Sequence, residues 1–123
     1  MTTKEIGDAC EEYAKEYLEE NGIEVLKTNF YCREGEIDIV AHEEEYTVFV
    51  EVKARKNTLF GMPCEAVTKA KQRKLIIAAQ RYLEQSEEEV PVRFDVVEIL
   101  YKLFDEKICV TNINHIRGAF ELT

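Results

Sequence analysis

The run from Gly35 to Arg55, GEIDIVAHEEEYTVFVEVKAR, constrains this chain more than any other stretch. Two runs rich in Ile, Val, Phe and Thr, Ile37–Ala41 and Thr47–Lys53, flank a short acidic turn at His42–Glu45. Bounded runs of that composition predict strand, turn, strand. A four-residue turn pairs Ala41 with Tyr46 and sets Asp38 opposite Phe49. Side chains alternate between faces along a strand, and opposed residues share a face. Asp38, Phe49, Glu51 and Lys53 then lie on one face, with Asp38 diagonal to Glu51. Diagonal neighbours are about 7–8 Å apart at Cα, close enough for two carboxylates to tilt onto one hard cation. Ile37, Ile39, Val48, Val50 and Val52 fall on the other face and read as core.

An antiparallel hairpin with one apolar and one wet face alternates in the same way. Two features weigh against that plainer reading. Val40 and Phe49 lie on the nominally wet face, and two amphipathic helices are available to cover both sides of a sheet.

The first helix is expected from Thr2 to Asn21. Thr2 and Glu5 form a capping box, and Gly22 follows as a stop. Ile6, Cys10, Tyr13, Ala14, Tyr17 and Leu18 make its apolar stripe, with Glu11 on the border. Gly7, one turn before Glu11, suggests a close approach of the helix to something, because a mid-helix glycine costs up to about 1 kcal/mol relative to alanine. Ile23–Tyr31 reads as a first strand and 54–62 as a polar loop. Pro63 suits the first turn of a second helix running to Gln85, with Val67, Ala70, Leu75, Ala78 and Tyr82 as its stripe. Val92–Leu100 and Lys107–Asn112 are further strands, and the tail from 113 is left unplaced. The order α-β-β-β-α-β-β, with a crossover long enough to make strands 47–53 and 92–100 parallel, predicts an α/β fold with a mixed sheet flanked by helices.

The 123 residues suffice for one domain, 1–123, with one core. A hydrophobic share of 46% and a charged share of 33% are ordinary for a soluble globular chain. No apolar run approaches the ~20 residues of a membrane span, and MTTKEIGDACEE has no apolar stretch that would make a signal peptide. The expected location is cytoplasmic, away from membranes, with Cys10, Cys32, Cys64 and Cys109 reduced. Their scatter, without a CxxC and apart from His42 and His115, argues against zinc.

The net charge is −9, but residues 53–81 carry +7 and the remainder −16. The basic side chains Lys53, Arg55, Lys56, Lys69, Lys71, Arg73, Lys74 and Arg81 follow directly on the carboxylate pair. That stretch reads either as a phosphate-facing surface or as a solvated helix face.

Together these residues resemble a known family. Gly35-Glu36-Ile37-Asp38-Ile39 and Phe49-Val50-Glu51-Val52-Lys53-Ala54-Arg55 look like motifs II and III of the PD-(D/E)XK nuclease superfamily. More closely, the chain resembles the YraN family, small uncharacterised proteins similar to archaeal Holliday-junction resolvases. The likeness spans nearly the whole chain. It takes in Gly7, Glu11, Ala14 and Tyr17-Leu18, then Asn29, then Phe60-Gly61 with Pro63 and Glu65-Ala66-Val67. It continues through Lys71-Gln72, Tyr82-Leu83 and Phe94-Asp95-Val96-Val97 to Ala119-Phe120. One departure is Cys10, where the family usually has a second glycine; it bears on helix packing beside Glu11.

The resemblance implies a restriction-endonuclease-like core and a metal-dependent endonuclease acting on branched or flapped DNA. It implies that Asp38 and Glu51 hold Mg²⁺ or Mn²⁺, with the Val52 carbonyl as a third oxygen and Glu11 completing the set. Lys53 would orient the attacking water or stabilise the oxyanion, and Arg55, Lys69, Lys71, Gln72 and Arg73 would grip the nucleic acid. By analogy with resolvases, it implies a homodimer. Two other readings remain open: a nucleic-acid-binding module without turnover, and a protein-interaction domain, which the net charge favours.

Overall fold

The computed structural model describes residues 1–57, 67–86 and 89–121. Helix α1 covers Thr3–Glu20. The Thr2 hydroxyl accepts from the Glu5 amide at 3.1 Å, and the Glu5 carboxylate accepts from the Thr2 amide at 3.2 Å, so the capping box forms as expected. The helix ends in a Schellman motif. The Ile23 amide donates to the Leu18 carbonyl at 2.9 Å and the Gly22 amide to Glu19 at 3.1 Å, with Gly22 at φ 78°. Leu18 and Ile23, both buried, close the apolar contact that goes with it. A side chain at Gly22 would be held in the left-handed region at about 1–2 kcal/mol. Gly22→Ala is therefore expected to lower the urea-unfolding free energy by about that much without changing the far-UV spectrum.

Strands β1 (Glu24–Cys32), β2 (Gly35–Glu43), β3 (Tyr46–Lys56), β4 (Val92–Phe104) and β5 (Lys107–Phe120) form one sheet in the order β1-β2-β3-β4-β5. Helix α2 (Lys69–Leu83) lies between β3 and β4 in sequence. The β3–β4 pair is parallel and the other pairs are antiparallel. The result is a five-stranded mixed sheet flanked by two helices, consistent with a restriction-endonuclease-like core.

Each face has its own core. Cys10, Ala14 and Leu18 of α1 pack with Ile39, Val48, Val50, Val97 and Ile99. On the other face, Leu75, Ala78 and Ala79 of α2 pack with Phe30, Ile37, Val40, Phe49, Phe94 and Val96. Burial on both faces explains why β3 is buried without a break from Thr47 to Val50 and why Val40 and Phe49 are not wet. No helix among the described residues is long and apolar enough to cross a membrane.

The structure corrects several expectations. The hairpin turn is two residues, Glu44 and Glu45, with Glu44 at φ 55°. Ala41 therefore faces Val48, not Tyr46, and Phe49 faces Val40, not Asp38. The shift is two residues, so facing is preserved. α2 starts at Lys69, capped by the Thr68 hydroxyl, later than the expected start at Pro63. Phe60, Gly61, Pro63, Glu65 and Ala66 lie outside the described residues. Tyr13 and Ala70, placed on apolar stripes by their spacing, are exposed. β4 runs past Leu100 to Phe104, and the unplaced tail, as far as Phe120, is the second half of β5.

That second half is fastened by Asp95, whose side chain is fully buried. Its carboxylate accepts from Arg93 Nε at 2.8 Å, from His115 Nε2 at 2.8 Å and from the Gly118 amide at 3.0 Å. An ionised carboxylate only accepts, so His115 carries its proton on Nε2 and leaves Nδ1 buried without a partner. Arg93 and Arg117 also converge on Glu43 at the end of β2.

Candidate metal centre

The β2–β3 ladder runs from Glu43–Tyr46 to Ile39–Val50. Beyond it, β2 stays with β1 through Ile37 and Glu36, while β3 stays with β4 as far as Lys56. The sheet forks, and Asp38 stands at the fork. Its Oδ2 accepts the Val52 amide at 2.8 Å, where a continuing ladder would have placed a backbone carbonyl. Ile37 and Ile39 are buried in different cores, one against α2 and the other against α1. A regular pleat would keep them on one face, so β2 turns at Asp38. The expectation that Ile37 and Ile39 share a face is corrected accordingly.

Asn29 of β1 has φ 53°, in the left-handed region that asparagine tolerates better than most residues. Its side-chain amide donates to Glu11 of α1 at 3.0 Å and to Glu36 of β2 at 2.7 Å. Glu11, Glu36 and Asp38 each offer an oxygen, and the three oxygens lie within 4.8 Å of one another. Glu51 enters from the α2 side. Its Oε1 is 3.8 Å from Lys71 Nζ, and its Oε2 is buried without a hydrogen-bond partner.

The Asp38 carboxyl is pushed up to about 8, first by burial and then by the charge of Glu51, with Glu11 and Glu36 adding; the Val52 amide opposes the shift. Burial also raises Glu51, against the pull of Lys71 and Lys53. Carboxyls in this position favour protons or a cation over bare negative charge. The donors are all hard oxygens, and Glu51 Oε2 has no hydrogen-bond partner among the described residues. That set fits Mg²⁺, Mn²⁺ or Ca²⁺ and does not fit a soft metal.

The other sequence-predicted residues divide into two groups. Val52 presents its amide to the fork, and the N–H and C=O of one strand residue point to the same neighbour, so its carbonyl faces the fork as well. Lys53 is half-buried and acts on Glu51 electrostatically. Lys69, Lys71 and Arg73 are exposed along α2. Gln72 instead donates to the Val67 carbonyl at 2.8 Å and closes the start of α2. Arg55 is ion-paired at 3.0 Å with Glu98, which is buried. Asn29 and Glu36 received no role from the sequence. Glu36 was within reach of sequence reasoning, since Glu-x-Asp has the strand period; for Asn29 the one sequence signal was its place in the family resemblance. A Cβ on Gly7 would meet nothing within 4 Å, so the expected close approach at this glycine is absent.

On the α1 side these residues border a cleft of about 330 Å³, lined by Lys4, Asp8, Glu11, Glu12, Thr28, Asn29, Tyr31, Asp38 and Ile39. One wall of the fork is therefore acidic, and the other, along α2, is basic.

Residues 10–99 match the family model described as Uncharacterised protein family UPF0102. That span holds every residue of the fork. Similar proteins, each described as a UPF0102 protein, occur in several bacteria. The one from Caldicellulosiruptor saccharolyticus is 43% identical over 121 residues, covering 98% of this chain and all of the relative. That from Clostridioides difficile is 41% identical over 121 residues, with coverage of 98% and 100%. That from Geotalea daltonii is 42% identical over 120 residues, with coverage of 97% and 91%.

Proposed function

The chain belongs to the uncharacterised protein family UPF0102, and we propose that its acidic fork is the centre of a metal-dependent nuclease acting on branched or structured DNA. One observation carries the reading. Carboxylates from two separated segments, at Glu11 and Glu36–Asp38, bring three oxygens within 4.8 Å of one another where the sheet splits, and Glu51, whose charge acts on Asp38, stands beside them at 3.8 Å from Lys71 of α2.

Asp38, Glu51, the Val52 carbonyl and Glu11 would hold the ion, with Glu36 as a further oxygen. Mg²⁺ or Mn²⁺ bound there supplies Lewis acidity to a phosphodiester and acidifies water for attack on it. Asn29 keeps Glu11 and Glu36 turned inward. The Val52 amide fixes the Asp38 carboxylate. Lys53 and Lys71 place positive charge beside Glu51, where negative charge develops on the phosphate oxygens in the transition state. Lys69 and Arg73 extend that charge along α2 for the DNA backbone. Gln72 supports the helix start, and Arg55 holds Glu98 in place. A homodimer would bring two such centres to two strands.

The test is a labelled four-way junction and the matching linear duplex, incubated with protein in Mg²⁺, Mn²⁺ or a chelator. Metal-dependent cutting of the junction is expected. Binding should weaken with salt, log K falling by about 0.9 per phosphate contact for each unit of log salt on duplex DNA. Absence of binding at low salt with metal present would refute the reading and leave the protein-interaction alternative.

A further inference from the structure

We propose that Tyr31 is the platform on which an unpaired nucleobase stacks beside the scissile phosphate, so that the preferred DNA carries a single-stranded or splayed segment at the fork. This rests on the nuclease reading above.

A lone exposed aromatic residue means little by itself; its setting is what matters here. Tyr31 is 70% exposed, and it lines the same cleft as Glu11, Asn29 and Asp38. Across the ladder it pairs with Glu36, one of the clustered carboxylates. It follows Asn29, which orients two of those carboxylates, by two residues. Its neighbour Phe30 is anchored in the α2 core, edge-on to Tyr82 at 5.3 Å, and this pins the strand that presents Tyr31. Among the described residues, ring–ring contacts engage Tyr17, Phe30, Phe49, Tyr82, Phe94, His115 and Phe120, but not Tyr31.

A flat, exposed ring on an anchored strand, beside a phosphate-directed site, suits a base. In an intact duplex each base is stacked on its neighbours and offers no face. In a flap, a splayed junction or a single strand it does, and every base has one, so the contact discriminates by structure and tolerates any sequence.

The chain contains no tryptophan, so Tyr31→Trp installs a sole indole reporter. With Ca²⁺ as the cation, its emission is expected to be quenched by flapped DNA and unchanged by blunt duplex. Tyr31→Ala is expected to weaken flap binding roughly ten- to a hundred-fold and to leave duplex binding and the urea midpoint unaltered. Unchanged flap affinity in Tyr31→Ala, or unchanged indole emission with flap bound, overturns the proposal. Cleavage in Mg²⁺ separates the two readings. If wild type cuts the flap and Tyr31→Ala cuts it equally well, the stacking role falls and the nuclease stands. If the indole is quenched but no divalent ion supports cutting by wild type, stacking stands and the nuclease falls. Failure to bind any of these DNAs removes both.

Discussion

Asp38→Asn is expected to remove divalent-cation binding and to reduce phosphodiester cleavage by roughly a thousand-fold or more, without unfolding the protein. Asparagine keeps an oxygen that can accept the Val52 amide, so the fork retains its geometry. What disappears is the charge at the point where Glu11, Glu36 and Glu51 all act on one group. The expectation for stability runs the opposite way from that for activity. In the metal-free protein the Asp38 carboxyl is raised to about 8 from an ordinary 3.8. Between those values the folded state binds more protons at Asp38 than the unfolded state, so this group's stabilising contribution is lost as pH rises through the window. Asp38→Asn should flatten that part of the profile and leave the apoprotein at pH 8 at least as stable as wild type. Cation binding to wild type should release protons near neutral pH, because the ion requires ionised oxygens. Calorimetry in two buffers of different ionisation enthalpy reads the release directly. Unaltered metal affinity in Asp38→Asn would remove the fork as the metal centre.

Asp95→Ala is expected to destabilise the fold by about 3–5 kcal/mol, the loss typical when one partner of a buried ion pair is removed. Urea unfolding measures it. The substitution would leave the buried His115 N–H without its acceptor, reduce the Arg93 guanidinium to its pairing with Glu43, and free the Gly118 amide. Fraying should begin in the second half of β5, where hydrogen exchange would be expected to quicken first. Burial alone would raise the Asp95 carboxyl, but His115, Arg93 and the Gly118 amide outweigh it and hold it below its ordinary value. Glu43 is likewise lowered, to about 2, chiefly by its hydrogen bonds from Arg117, with Arg93 adding against the cost of burial. Carboxyls depressed in the folded state contribute stability above their unfolded values and lose it as pH falls through the folded ones. Acid should therefore unfold this protein between roughly pH 4 and 2, and in Asp95→Ala that transition should be shallower. Neither effect depends on metal, so the two substitutions separate the fold from the site.

Much of the fold is legible because its signals are local. The capping box of Thr2 and Glu5 is an i,i+3 contact, and Gly22 is a single residue in the left-handed region. Alternation fixed facing in β3 and in β2 from Ile39 to Glu43, and the two-residue error in register still left Asp38 near Glu51, although β2 turns at Asp38. That error has a clear origin. Two-residue hairpin turns announce themselves with Asn, Asp or Gly, and Glu44-Glu45 carries none of them. The β4–β5 turn gives a weaker signal than most, with Asp105 as its one turn-favouring residue and no glycine, although Asp105 and Glu106 are both at positive φ.

The sequence by itself determined the elements, their order, the parallel crossover and the presence of carboxylates inside strands otherwise built for a core. Each follows from periodicity or capping within a few residues, where chain geometry leaves little freedom. Only the tertiary structure decided that the β2–β3 ladder stops at Ile39, that Asn29 ties Glu11 to Glu36, and that Asp95 reaches His115 and Gly118. Those contacts join residues far apart in the chain. They depend on where one strand parts from its neighbour, and that point is set by two cores packing on opposite faces of the sheet, which no local pattern records.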